Sequence, residues 1–192
     1  MKVSLLRVTD DPEDIIAASA RVCYASEPKA EGANEKLIKN LRDWGHMSTF
    51  EHAHATFSIE GVSRALTHQL VRHRIASYSQ QSQRYVNEAG FEYVIPHTVA
   101  AENDAKNLFD DAVEATRVAY EKLIGLGVPK EDARFILPNA CATKIVVTMN
   151  FRELRHFIKL RSEKGAQWEI RELAQQMLAL LKENSPNAFD DL

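Results

Sequence analysis

The sequence predicts an α+β fold, rich in helix and poor in strand. Several long stretches repeat their apolar residues every three or four positions, and two shorter ones carry strand patterning. Strands and helices do not alternate regularly, as a doubly wound parallel sheet would require. The 192 residues, 45% of them hydrophobic, suffice for one sizeable core. No internal repeat or Pro/Ser-rich linker intervenes, so residues 1–192 are expected to form a single domain.

Asp11-Pro12-Glu13-Asp14 opens the first helix: a capping residue, a proline in the first turn, and acids at the positive end of the dipole. It runs to about Tyr24, with Ile15, Ala18 and Val22 inward. A loop is expected over 26–33, where Pro28 and Gly32 fall. Asn34 then caps a second helix carrying Leu37, Ile38, Leu41 and Trp44, which Gly45 stops. Residues 54–60 alternate as a half-buried strand does, through Ala55, Phe57 and Ile59, and Gly61 is expected to end it.

Residues 63–74 read as a helix with Ala65, Leu66, Gln69, Leu70 and His73 along one side, and 93–96 as a short extended piece stopped by Pro96. The longest helical pattern covers 101 to about 124 through Ala105, Leu108, Phe109, Ala112, Val113, Ala119, Tyr120 and Leu123, before Gly125 and Gly127. Pro129 starts a short helix through Ile136. Thr143, Ile145, Val146, Val147 and Thr148 mark a second strand over 141–149, and 151–160 and 167–182 return to helix. Trp44, Tyr120 and Trp168 fall at helix-packing positions.

Composition narrows function. Lys and Arg total 24 against 27 Asp and Glu, a net charge of −3 that argues against a general polyanion-coating protein. No apolar run reaches the roughly 20 residues of a membrane span, and the opening residues, interrupted by Asp10 and Asp11, are not expected to be a signal peptide. Cys23 and Cys141 make no disulfide framework and fit a reducing cytoplasm. The G-x-G at Gly125–Gly127 lacks the third glycine of a dinucleotide fingerprint, and there is no Gly-Lys-Ser/Thr P-loop. A bound nucleotide must therefore be held by side chains.

One segment is not explained by folding. From Gly61 to Asn87 there is no acidic residue, although Arg64, His68, Arg72, His73, Arg74 and Arg84 all fall there. Its Ser/Gln/Arg middle is an array of uncharged and cationic hydrogen-bond donors, suited to phosphate oxygens and the carbonyl and imide edges of a base or flavin ring. Within it, Arg72-His73-Arg74, seven residues, Ser82, then Gln83-Arg84-Tyr85 resembles the signature of the flavin-dependent thymidylate synthases. Five further blocks resemble that family in the same order. They are Ala20-Arg21-Val22-Cys23-Tyr24, Gly45 through His52, Arg134-Phe135-Ile136-Leu137-Pro138, Asn150 through Arg161, and Ala166 through Arg171.

The resemblance implies the thymidylate synthase-complementing fold, a small, mostly antiparallel sheet flanked by several helices. It implies reductive methylation of deoxyuridylate (dUMP) at C5, with 5,10-methylenetetrahydrofolate as carbon donor and FAD, reduced by NADPH, as hydride source. By the same resemblance Ser48, Arg72, His73, Arg74, Gln80, Asn150, Arg152 and His156 are expected at FAD. Gln69, Arg72, Gln80, Gln81, Ser82, Gln83, Arg84, Arg134 and Arg161 are expected at dUMP, with Arg161 the catalytic group that polarises the pyrimidine. A homotetramer with active sites at subunit interfaces is implied too. Ser79 stands where many members carry Asn, Gln80 where some carry Glu, Cys23 at what is often Ser, and His156 where some carry Asn.

The physical sense stands beside the resemblance. Uracil is a poor nucleophile at C5, and a fixed guanidinium stabilises charge drawn onto its ring oxygens and N3. Arg152 and His156, four apart, share a helix face, while Arg161 lies about 140° round from His156. His46, His52 and His54 lack zinc-hydrolase spacing, so no metal is expected, although His46 is a candidate for the flavin pocket. Cys141, on an apolar strand without a neighbouring base, reads as structural. A rival reading makes residues 72–84 a single-stranded nucleic-acid surface with Tyr78 and Tyr85 stacking on bases. It leaves the arginines and amide of 150–161 unexplained, and neither a nucleic-acid polymer nor a membrane is an expected partner.

Overall fold

The computed structural model describes residues 1–28 and 30–192. Its four strands are β1 (Lys2–Val8), β2 (His54–Ser63), β3 (Ala76–Gln80) and β4 (Ala142–Asn150). They form one antiparallel sheet in the order β1-β2-β4-β3. The helices are α1 (Pro12–Tyr24), α2 (Ala33–Asp43), α3 (Arg64–Leu70), α4 (His97–Ala100), α5 (Asn103–Gly125), α6 (Lys130–Ala133), α7 (Phe151–Arg161), α8 (Trp168–Asn184) and α9 (Pro186–Phe189). Short 3-10 turns occupy Met47–His52 and Arg134–Ile136. The α+β class expected from the sequence is the class observed.

The chain divides into two units: a central one of residues 1–2, 60–68 and 79–145, and a terminal one of 3–59, 69–78 and 146–192. In the terminal unit the strand residues Phe57, Ile59, Val147 and Met149 are buried, as are Phe151, Leu154, Phe157 and Ile158 of α7 and Ile170, Leu173 and Met177 of α8. Asn150 caps α7 by accepting the Glu153 N–H at 2.8 Å, and Gln167 caps α8 through the N–H groups of Glu169 and Ile170 at 3.1 Å. The central unit buries Phe91, Val113 and Cys141 together, with Tyr93, Phe109 and Leu137 packed against them.

Several elements differ from the sequence reading, each for a local reason. The buried side of α1 is Ile16, Ala17 and Ala20, while Ile15, Ala18 and Val22 are exposed. Apolar residues surround this helix, and its inward stripe begins at Glu13, whose carboxylate accepts from the backbone and side-chain N–H groups of Asn187 at 2.8 and 2.6 Å. Asp11 takes a left-handed conformation (φ 46°) and makes no side-chain cap. Asn34 does not cap α2 either: Gly32 (φ 75°) precedes that helix, and the Asn34 amide links Arg21 to Asp14. The expected loop over 26–33 thus ends one residue early, and Lys29 within it lies outside the described residues.

β2 continues through Gly61, where φ of 68° shifts the register so that Val62 and Ser63 are both buried. The next helix stops at Leu70 rather than Arg74, because Tyr78 Oη donates to the carbonyls of Leu70 and His73 at 2.8 and 2.7 Å and fixes a turn there. Edge strands β1 and β3 and the short α9 have no counterpart in the sequence reading. Trp44 is exposed beyond the last buried position of α2, edge-on to His46 at 5.9 Å between ring centroids, and Trp168 is only half-buried. Tyr120 is fully buried as expected, but Leu108, Ala112 and Ala119 of α5 face outward.

Candidate active site

In the terminal unit α7 presents two polar faces. Arg152 and His156, one turn apart, line a cleft of about 430 Å³ with Glu51, Ile75, Asn150 and Glu153. Arg152 donates to Glu51 and also walls a second cleft of about 370 Å³ that contains Ser48, His46, Cys23 and Tyr24. The shared face predicted for Arg152 and His156 is therefore real, and Ser48 and His46 line the second cleft that the same arginine walls.

The second face of α7 meets the Arg72-His73-Arg74 segment, which the turn held by Tyr78 splits. Arg72 and Arg74 are exposed, whereas His73 is 5% exposed and packs edge-on against Phe157, with 5.0 Å between centroids. His73 Nδ1 lies 3.1 Å from Glu153 Oε1, and Arg161 Nε donates to His73 Nε2 at 3.1 Å. A guanidinium can only donate, so Nε2 is the acceptor and Nδ1 carries the hydrogen. Burial holds the His73 pKa below 6.5; the Glu153 hydrogen bond opposes this and Arg161 adds to it. The Glu153 contact is thus a hydrogen bond from a neutral imidazole, not an ion pair. His73, Glu153 and His156 place three potential metal-ligand atoms within 4.8 Å of one another. The guanidinium against His73 disfavours a cation there.

The central unit carries the rest of the strip. Gln80 Nε2 donates to the hydroxyls of Thr67 and Thr143 at 3.0 and 3.4 Å, and Gln81 Nε2 to buried Glu88 at 3.4 Å. Both amides are thus engaged within the unit. Ser82 Oγ accepts the Arg84 N–H at 3.2 Å, in a turn closed by Val86 N–H donating to the Ser82 carbonyl. Gln83 is half-buried. Arg84 pairs with the Glu131 carboxylate at 3.0 Å, and Arg134 donates to the Glu131 carbonyl at the same distance, so one residue gathers both arginines. Gln69, in the terminal unit, is half-buried. Burial, then Glu88, pushes the Cys141 thiol up to about 12, which leaves it protonated at neutral pH and in a structural role.

The profile of a family described as thymidylate synthase complementing protein matches residues 4–187. The chain belongs to this family. It is 52% identical to the flavin-dependent thymidylate synthase of Geobacter sulfurreducens, in an alignment covering 100% of this chain and 86% of the relative. Identity is 44% with the enzyme of the same name from Clostridium tetani, over 98% of this chain and 85% of the relative. With that from Pyrococcus furiosus it is 46%, over 93% and 78% respectively.

For a member of the thymidylate synthase complementing family, the donor set fits a flavin. Arg152, the Asn150 amide, His156 and the Ser48 hydroxyl supply cationic and neutral donors, and both carboxylates of the cleft are already engaged, Glu51 by Arg152 and Glu153 by His73. Both clefts fall in the size range of small-molecule sites, roughly 300–1,000 Å³. The sequence reading missed Glu51, Glu131 and, above all, Glu153. The signal for Glu153 is its place among Phe151, Leu154, Phe157 and Ile158, all buried, where it is the acid in an otherwise apolar stripe.

Proposed function

We propose that this chain is a flavin-dependent thymidylate synthase, methylating dUMP at C5 with 5,10-methylenetetrahydrofolate as carbon donor and NADPH as the source of reducing power. When bound, FAD supplies the hydride that completes the methyl group. The observation that carries the reading is the cleft on α7, where Asn150, Arg152 and His156, all matching the family's FAD positions, line one wall.

The residues divide the work by their chemistry. Asn150, Arg152, His156 and Ser48 bind and orient the cofactor, and exposed Arg72 and Arg74 add charge for its phosphates and for the substrate. Arg84, Arg134 and the backbone at Ser82 hold the nucleotide phosphate, with Gln69, Gln80, Gln81 and Gln83 as its polar surroundings. The Arg161 guanidinium stabilises negative charge on the uracil oxygens and favours loss of the N3 proton, which makes C5 a better nucleophile. Of the cofactor set His73 is the most buried, its ring set among Glu153, Arg161, Phe157 and the cleft-lining His156.

We also infer a single domain over 1–192, a homotetramer with active sites at subunit interfaces, and a cytoplasmic location. No helix among the described residues is long and apolar enough to cross a membrane. The nucleic-acid reading has less to stand on because Tyr78 is half-buried with its hydroxyl tied to the backbone of Leu70 and His73, which leaves Tyr85 as its exposed stacking ring. The test is anaerobic. Protein carrying reduced flavin, mixed with dUMP and methylenetetrahydrofolate, should form thymidylate as the flavin reoxidises; salt-dependent oligonucleotide binding by flavin-free protein would replace this reading.

A further inference from the structure

We propose that Glu153 and His73 are positioning residues that orient the Arg161 guanidinium, Glu153 by fixing the tautomer of His73 and His73 by accepting the Arg161 Nε hydrogen. This rests on the reading of Arg161 as the pyrimidine-facing group. A carboxylate on the buried stripe of a helix is retained only with a partner, and the partner here is a single ring nitrogen, His73 Nδ1, at 3.1 Å. The ring itself is fixed by Phe157. Its far nitrogen meets Arg161 at Nε, the inner nitrogen of the guanidinium, so this contact leaves both terminal Nη groups for a ligand.

The other tautomer would set two donors against each other at Arg161 and leave a lone pair facing the carboxylate. Glu153 therefore selects the ring state in which Arg161 is held. Glu153, Phe157 and Arg161 fall within about 80° of arc on one helix, so the device comes from one helical face plus one residue of the turn that follows α3. The charged and titratable groups that act on His73 are Glu153, Arg161 and His156, all on α7.

The test combines Glu153→Leu, Glu153→Gln, Arg161→Ala and the Glu153→Leu/Arg161→Ala double variant, with kcat, KM for dUMP and bound flavin measured for each. Glu153→Leu should lower kcat per bound flavin about 10–100-fold, the scale of a misplaced catalytic group, with KM for dUMP within about threefold of wild type; turnover is read per bound flavin because Glu153 also lines the cleft of Arg152 and His156. Glu153→Gln, which keeps an acceptor oxygen, should recover most of that loss. In the Arg161→Ala background Glu153→Leu should cost nothing further, because a residue acting through Arg161 has nothing left to position. The imidazole ¹⁵N spectrum of the wild-type protein should show Nδ1 protonated and Nε2 bare, and Glu153→Leu should mix the two tautomers. Additive losses in the double variant, a Gln variant as impaired as Leu, or a protonated Nε2 would each overturn the proposal. Normal turnover by Glu153→Leu while Arg161→Ala is dead defeats the proposal alone, whereas normal turnover by Arg161→Ala defeats the reading beneath it.

Discussion

Asn150 holds two positions at once, and one substitution series separates them. Its side-chain oxygen caps α7 through the Glu153 N–H at 2.8 Å, while its amide lines the 430 Å³ cleft. Replacement of an Asn cap by Ala costs about 0.5–2 kcal/mol, typically about 1. For a chain of this length, each 1 kcal/mol moves the thermal midpoint by roughly 2–4 °C. Asn150→Ala should therefore lower the midpoint of the flavin-free protein by about 2–4 °C, at fixed protomer concentration so that assembly does not contribute.

Asn150→Asp keeps the capping oxygen and places negative charge at the positive end of the helix, so the midpoint should stay at or above wild type. The same variant removes the amide donor and adds charge where a flavin's oxygens are to sit. FAD affinity, read by fluorescence quenching, should then fall about tenfold or more, in line with loss of a hydrogen bond of about 1–1.5 kcal/mol plus repulsion. If Asp destabilises as much as Ala, the cap is not what Asn150 contributes. If Asp binds FAD like wild type, the cofactor role is lost.

Other expectations follow from particular residues. Arg161→Ala should cripple thymidylate formation while flavin absorbance per protomer is retained, since its contact in the fold is to His73 and not to the cleft lined by Arg152 and His156. Cys141→Ser should keep turnover, because the raised thiol pKa leaves no thiolate to act; loss of turnover in a well-folded variant would restore a nucleophilic role. His73 gives a pH dependence whose sign follows from its burial. Its folded pKa is depressed, so its contribution to stability is fully present above pH about 6.5 and is lost as pH falls through the folded value. Urea midpoints measured downward from pH 7 should fall more steeply in wild type than in His73→Gln, and equal slopes would show that His73 does not titrate differently in the two states.

Legibility in the sequence followed burial pattern. β4 alternates inward Thr143, Ile145, Val147 and Met149, and α7 repeats its apolar residues at helical spacing, so both could be placed and α7's polar face deduced. β3 could not. It is five residues of Ala, Ser, Tyr and Gln whose strand character comes from the sheet edge it joins rather than from its own composition. On α1 the cause is different: apolar residues occupy two faces, and the one that is buried, Ile16, Ala17 and Ala20, continues the line of Glu13, which holds Asn187, a partner 174 positions away. Long-range polar contacts of this kind leave no local periodicity to read.

The same blindness affected the site. Motif spacing located His73 and Arg161 but treated each as a separate ligand contact, because sequence distance hides that one accepts from the other across 88 positions. What joins them is Glu153, the residue that simple patterning scores as a mistake on an apolar face. A buried charge that breaks a helix's pattern has to be compensated by a partner, and searching for that partner leads directly to His73 and on to Arg161. The departure from the pattern, more than agreement with it, points to where this chain's chemistry is held.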